Sequence, residues 1–245
     1  MSIHIGIGGW TFEPWRGPFY PAGLAQKREL EYAGKRLTGI EINGTYYGSQ
    51  KPQTFANWAA SVPDNLQFSV KASRFATNRK ILAEGAASIE KFLAQGITRL
   101  GDRLGPIHWQ FMATKKFVPH DFAGFLDLLP DSQDGLPLRH AIEVRDESFR
   151  DPAFVDMLRE RNMAVVYADS DEFPCIDEQT ADFTYARLQR SQEDIETGYD
   201  DKALDHWADQ ARDWAKGDRD VYIFFISGAK VRNPAAAQAL IARLK

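Results

Sequence analysis

The chain has 245 residues, of which 44% are hydrophobic and 12% aromatic, and a formal net charge of −4. The length matches the roughly 250 residues of one eight-stranded β/α barrel, although two domains of ~120 residues would also fit. The acidic balance excludes a global positive field for nucleic acid or anionic membranes, and a lone cysteine, Cys175, excludes an intrachain disulfide and a cysteine zinc cluster.

The chain opens with Ile3-His4-Ile5-Gly6-Ile7, which reads as a strand over 3–8 rather than a leader. No apolar span approaches ~20 residues, so no membrane is involved and a soluble cytoplasmic protein is expected. Residues 11–23 are too rich in proline, glycine and aromatics for a helix and read as an ordered loop over one mouth of a barrel. Helical character follows over 24–37, with Leu30, Ala33 and Leu37 on one stripe. A strand at 39–43 precedes a short helix at 52–60 with proline in its first turn, and the third strand is 66–72. The stripe Ile89, Leu93, Ile97, Leu100, Leu104 predicts a helix over 85–104. Strand four is 106–112, and a helix at 121–129 stops at Pro130. Strand five is 140–145, followed by a helix at 152–161 capped by Asp151. Strand six is 163–168, residues 171–182 are irregular, and strand seven is 183–188. A helix at 202–216, strand eight at 221–226 and a last helix at 234–244 complete the chain. Strands separated mostly by helices imply a parallel sheet covered on its outside. The expected fold is therefore a single (β/α)8 TIM-like barrel domain over 1–245.

Polar residues alternate with apolar ones in Gly39-Ile40-Glu41-Ile42-Asn43, Phe68-Ser69-Val70-Lys71, Ala141-Ile142-Glu143-Val144-Arg145, Val165-Val166-Tyr167-Ala168-Asp169 and Tyr185-Ala186-Arg187-Leu188-Gln189. Alternation sends the two sets to opposite faces. With helices outside, the charges are expected inside, at the carboxyl ends where a β/α barrel keeps its chemistry. The candidate site is Glu41, Asn43, Lys71, Gln110, Glu143, Arg145, Asp169 and Arg187, converging on one cavity. Glu143 and Glu41 are the acid–base candidates, with Asp169 orienting a partner. Lys71, Arg145 and Arg187 would hold an anion, the last two by gripping it between their guanidiniums. The alternative is an ion-pair lattice that only neutralises the barrel interior. Trp10 and Tyr46, among the aromatics after strands one and two, could wall a substrate or instead plug the barrel beneath its loops.

Glu41, Glu143 and Asp169 could bind a divalent cation weakly, but three cations nearby disfavour it. His108 lies within strand four and His140 opens strand five, so both read as structural. No metal and no cofactor is expected, and neither a Rossmann glycine turn nor a P-loop is present.

The strand ends carry the motifs Gly9-Trp10, Trp15-Arg16-Gly17-Pro18-Phe19-Tyr20-Pro21, Glu41-Ile42-Asn43-Gly44-Thr45-Tyr46-Tyr47, Lys71, Gly105-Pro106 with Gln110, Glu143-Val144-Arg145-Asp146-Glu147-Ser148-Phe149, Asp169-Ser170 and Arg187. In these the chain resembles the domain of unknown function 72 (YecE-like) family. The resemblance covers nearly the whole chain. It implies a β/α barrel and no particular reaction. Asn78, Gln189 and Ser227 stand where the family often has histidine, histidine and asparagine. The reading is a barrel enzyme doing metal-independent acid–base chemistry on a small anionic, sugar-like or polyol ligand. Its rivals are a metal-dependent endonuclease-like enzyme and a non-catalytic binding protein. Nucleic acid is not the expected partner, and the sequence leaves the oligomeric state open.

Overall fold

A computed structural model describes residues 2–245. Eight parallel strands close into a barrel: β1 Ile3–Gly8, β2 Gly39–Ile42, β3 Gln67–Lys71, β4 Leu104–Gln110, β5 His140–Glu143, β6 Ala164–Asp169, β7 Phe183–Leu188 and β8 Asp220–Phe225. Each strand pairs with its neighbours in sequence. The ring closes where β1 pairs β8, from Ile3 opposite Val221 to Ile7 opposite Phe225. The surrounding helices are α1 Glu29–Gly34, α2 Gly44–Tyr47, α3 Pro52–Ala60, α4 Arg74–Thr77, α5 Ala86–Leu93, α6 Pro119–Leu126, α7 Pro152–Glu160, α8 Asp201–Trp214 and α9 Asn233–Arg243. None of the described helices is long and apolar enough to cross a membrane.

Local chemistry sets the helix ends. Asp151 and Asp200 accept backbone N–H groups at the starts of α7 and α8, at 2.9 and 2.7 Å. The stripe Leu204, Trp207, Ala208, Ala211 and Trp214 buries one face of α8. The helix expected over 85–104 is instead α5 followed by a 3-10 segment, Ile97–Arg103. Gly96 and Gly101 take φ of 95° and 56°, which break an α-helix while preserving the spacing of its apolar residues. The helix expected over 24–37 shortens to α1, because Gly23 turns the chain at φ 79° and Ala25 stays extended. A two-residue hairpin, Ser132–Gln133 with Leu136–Pro137, turns at Asp134 and Gly135, both at positive φ. No helix covers the passage from β6 to β7. Instead Thr180 Oγ1 accepts from Val165 N–H and donates to the Met163 carbonyl, pinning the irregular segment to the foot of β6.

Two cores result from strand alternation. Ile40, Ile42, Phe68, Val70, Ile107 and Trp109 face outward and are buried under the helices. Ala141, Ala164, Val166, Phe183, Tyr185, Tyr222 and Phe224 fill the inside of the barrel as a separate cluster. The floor is closed by His4 stacked on Tyr222, with ring centroids 5.0 Å apart. Tyr222 donates to Gln67 at 2.5 Å and accepts from Arg139 at 3.2 Å.

Above His4, the inward face of β1 bears Gly6 and Gly8, where the barrel has no room for a side chain. A β-carbon on Gly6 would overlap the Gly39 carbonyl oxygen across the β1–β2 seam. Gly44, at the start of α2, has nothing within 4 Å of such a carbon. Backbone cannot yield as a side chain can, so Gly6→Ala should cost more than about 3 kcal/mol, at or beyond the upper end of ordinary overpacking. Gly44→Ala should be neutral or stabilising by up to about 1 kcal/mol. Urea unfolding of both variants checks the contrast.

Candidate functional site

At the carboxyl end of the barrel the interior changes from apolar to charged. Glu41 stands one residue before the end of β2, Lys71 ends β3, Gln110 ends β4, Glu143 ends β5 and Arg187 rises from β7, all on inward-facing positions. Arg187 sits at the centre, its side chain 2% exposed. Its Nη2 donates to Glu41 Oε1 at 3.1 Å and its Nη1 to Glu143 Oε2 at 2.6 Å. Glu143 Oε1 accepts from Arg145 Nε at 2.7 Å, and Glu41 Oε2 accepts from the Tyr185 hydroxyl at 2.7 Å. Both carboxylates are essentially sealed from solvent.

Nearer the opening, Gln110 Oε1 accepts from Lys71 Nζ at 2.8 Å and from Arg145 Nη2 at 2.9 Å. Lys71 and Gln110 are each 9% exposed, and the Arg145 side chain is 21% exposed. These three groups form the solvent-facing edge of the cluster. Tyr46 lies against it, with its ring centroid 4.8 Å from Lys71 Nζ. Arg145 stacks over Phe173 at 4.2 Å.

Sequence reasoning missed two members of the cluster. His108, fully buried, places Nε2 2.8 Å from Glu143 Oε2 and Nδ1 3.4 Å from Glu41 Oε2, and its ring stacks on Tyr185. Tyr185 bridges Glu41 to Ser69 Oγ, which lies 2.7 Å from its hydroxyl. The signal was parity: His108 shares a face with Gln110, and Tyr185 shares one with Arg187. His140 belongs to the outer face, where Trp109 Nε1 donates to its Nδ1 and its Nε2 donates to the Pro130 carbonyl.

Other expected residues stand apart. Asp169 does not join the cluster; it pairs with Arg190 at 3.3 Å. It shares a face with Tyr167, which is turned outward against Trp207 and Trp214 of α8. The inward positions of β6 are Ala164, Val166 and Ala168, whose small size makes room for the side chains of β7. Asn43 reaches only the Glu41 carbonyl, at 3.5 Å. Trp10 packs edge-on to Trp58 at 5.2 Å, and its carbonyl accepts from Tyr20. The neighbouring Trp15 and Tyr20 are fully buried. Asn78 donates to the Tyr46 hydroxyl at 3.3 Å, and Ser227 is enclosed with Ser191 and Asn233.

Burial alone would raise the Glu41 pKa, but the adjacent cations, Arg187 foremost, outweigh it and hold the carboxyl at about 2. Glu143 is likewise held well below the usual carboxylate range, burial opposing and Arg187 prevailing. Burial pushes His108 down against the pull of both carboxylates, so it is neutral at pH 7 and donates from Nε2 to Glu143. Lys71 is lowered to about 8, by burial first and then by Arg187. Two carboxylates against three cations leave the cluster one positive charge in excess. No group of three or more His, Cys, Asp or Glu among the described residues is arranged to hold a metal ion.

The sequence matches the model of a protein family described as "Protein of unknown function DUF72" over residues 4–245. Among curated proteins, the chain is 25% identical over 150 residues to "UPF0759 protein YecE" of Escherichia coli strain K12, and equally to its counterpart in Escherichia coli O157:H7. The match takes in 60% of this chain and 50% of the relative, so the chain spans about half the length of the curated relatives it matches. Among solved structures, a DUF72 family protein from Thermotoga maritima MSB8 superposes with a TM-score of 0.76 at 22% identity, covering 98% of this chain and 97% of the other. One from Enterococcus faecalis V583 gives 0.72 at 17% identity, covering 100% and 98%. At such identities these likenesses concern the fold alone.

Arg187→Met would leave two buried carboxylates without their shared counter-ion, so it should cost about 3–5 kcal/mol at pH 7. The loss should shrink at pH 3, where the orphaned carboxyls can take up protons. In the wild type, Glu41 binds its proton less readily folded than unfolded. Its contribution is therefore complete above pH 4.5 and lost as the pH falls toward about 2, amounting to roughly 3 kcal/mol. Urea unfolding at both pH values checks both statements; an equal cost at pH 3 and 7 would contradict the first.

Proposed function

The chain belongs to the DUF72 family of proteins of unknown function, and from that premise we propose that its barrel mouth binds a small anionic molecule and performs metal-independent acid–base chemistry on it. The observation that carries this reading is the meeting of Lys71 and Arg145 on one neutral oxygen, Gln110 Oε1, at the solvent-facing edge of the cluster. Arg187 also donates to this oxygen at 3.3 Å, Arg145 shares Glu143 with Arg187, and Lys71 has no carboxylate in ion-pair contact among the described residues. The edge is therefore under-neutralised, and a carboxylate or phosphate would supply charge-assisted hydrogen bonds to both Lys71 and Arg145.

The roles divide by burial. Arg187 has both terminal nitrogens on carboxylates and lies below the edge, so the anion would be gripped by Lys71 and Arg145 rather than by the two arginines. Glu41 and Glu143 hold that pair of cations from beneath as fixed negative charge; their lowered pKa values make them poor proton donors. Lys71, at about 8, titrates near neutral pH and is the group suited to give or take a proton. A divalent cation on Glu41 and Glu143 would meet Arg187, Lys71 and Arg145 at close range, which favours chemistry without one. Tyr46, flat against Lys71, would contact the ligand's body and would suit a sugar-like or polyol frame.

The test is thermal unfolding across a phosphate series at constant ionic strength. At 100 times its dissociation constant, an anion that binds only the folded state adds about 2.7 kcal/mol, worth roughly 5–10 °C for a chain of this size. Lys71→Met and Arg145→Gln should each remove most of that gain. Equal shifts in wild type and both variants would leave the cluster as an internal ion lattice and refute the proposal. In parallel, NMR of reductively methylated protein should show one lysine methyl resonance, absent in Lys71→Met, titrating near pH 8.

A further inference from the structure

Beside the mouth, and sharing none of its cluster residues, lies a second cavity of about 630 Å3, between the loops that follow β2 and β3 and the outer face of α5. Its volume is in the range of small-molecule sites. Two cations line it, Arg79 and Lys91, and none of its lining residues is acidic. Lys91 has no hydrogen-bond or ion-pair partner among the described residues. Arg79 uses only Nη1, on Ser88 Oγ at 3.2 Å and the Phe75 carbonyl at 3.5 Å, so most of its N–H groups are unengaged. At the rim stands Phe75, 61% exposed, its ring free to stack on a ligand.

We propose that this cavity is a distinct binding site for a phosphate monoester carried on a flat ring system, of the size of a nucleoside monophosphate. Arg79 and Lys91 take the phosphate, the first through a planar fork of donors and the second as a mobile point charge. Ser88, at the start of α5, adds a hydroxyl. Phe75 covers one face of the ring. The field around the cavity favours the anion further, because Asn78 and Arg79 also line an adjoining cavity of about 490 Å3 that carries Lys80, Lys115 and Lys116 and no carboxylate. Lys115 and Lys116 are partly neutralised by Asp121 and Asp146 behind them, whereas Lys80 is not. One layer separates this site from the mouth: Asn78 bonds the Tyr46 hydroxyl, and the Tyr46 ring faces Lys71.

The experiment is calorimetric titration of the full chain carrying Arg145→Gln, which silences the anion site at the mouth, with adenosine 5′-monophosphate, adenosine and inorganic phosphate. The monophosphate should bind saturably, and the other two at least about tenfold more weakly, each lacking half of the recognition. Lys91→Ala and Phe75→Ala should each weaken the monophosphate about tenfold. Both side chains are exposed and without hydrogen bonds of their own, so these variants are expected to fold. With the mouth silenced throughout, this site stands or falls separately from the anion site in the barrel. No saturable binding at millimolar monophosphate, unchanged affinity in Lys91→Ala, or equal binding of phosphate alone would each overturn the proposal.

Discussion

The structure turns on one guanidinium. Arg187 crosses the lumen of the barrel from β7 and takes a carboxylate from β2 on one side and from β5 on the other. A charge so deeply enclosed is tolerable only with its partners in place, and the partners only with it. The constraint spreads outward from there. His108 must be neutral and turned to Glu143, Tyr185 must offer its hydroxyl to Glu41, and Ser69 must lie beside that hydroxyl. Side chains from five strands are thereby fixed in one arrangement, and the small inward residues of β6 leave the space in which they fit.

The same arrangement separates the titrating groups. Two carboxylates of similar chemistry would ordinarily be the natural acid and base of a barrel site. Here both lie under strong positive charge and lose their affinity for protons, while the nearby lysine, buried and then crowded by Arg187, loses some of its own. The depth of each group decides its part: the carboxylates shape the field, and the amine at the edge responds to it.

Most of the barrel was legible because alternation is a local property. Glu41, Lys71, Glu143 and Arg187 lie on inward faces since each is flanked by apolar residues that need helix cover. Asp169 shows where that logic fails. On β6 both faces are tolerable to a barrel: alanine and valine on one, Tyr167 and Asp169 on the other. Only the partner helix, with Trp207 and Trp214 waiting for a tyrosine, determines which turns in. His108 was hidden for the converse reason, since a histidine inside a strand looks like core until the residues across the lumen are known. The Asp134-Gly135 turn carried a plain local signal of a hairpin, but its strands of two residues are too short to show alternation. Which cations face solvent and which are buried was not legible at all, because depth along a strand depends on the stagger between strands.

The closed floor has a further meaning for traffic. His4, Tyr222, Gln67 and Arg139 seal the amino end of the barrel, and the aromatic cluster above them fills its waist. The charged cluster is therefore closed from below and meets water at one edge, formed by Lys71, Gln110 and Arg145. Every proton exchanged with Glu41, Glu143 or His108 must pass that edge. An occupant at the mouth would act as a stopper, isolating the buried charges from water for as long as it stays.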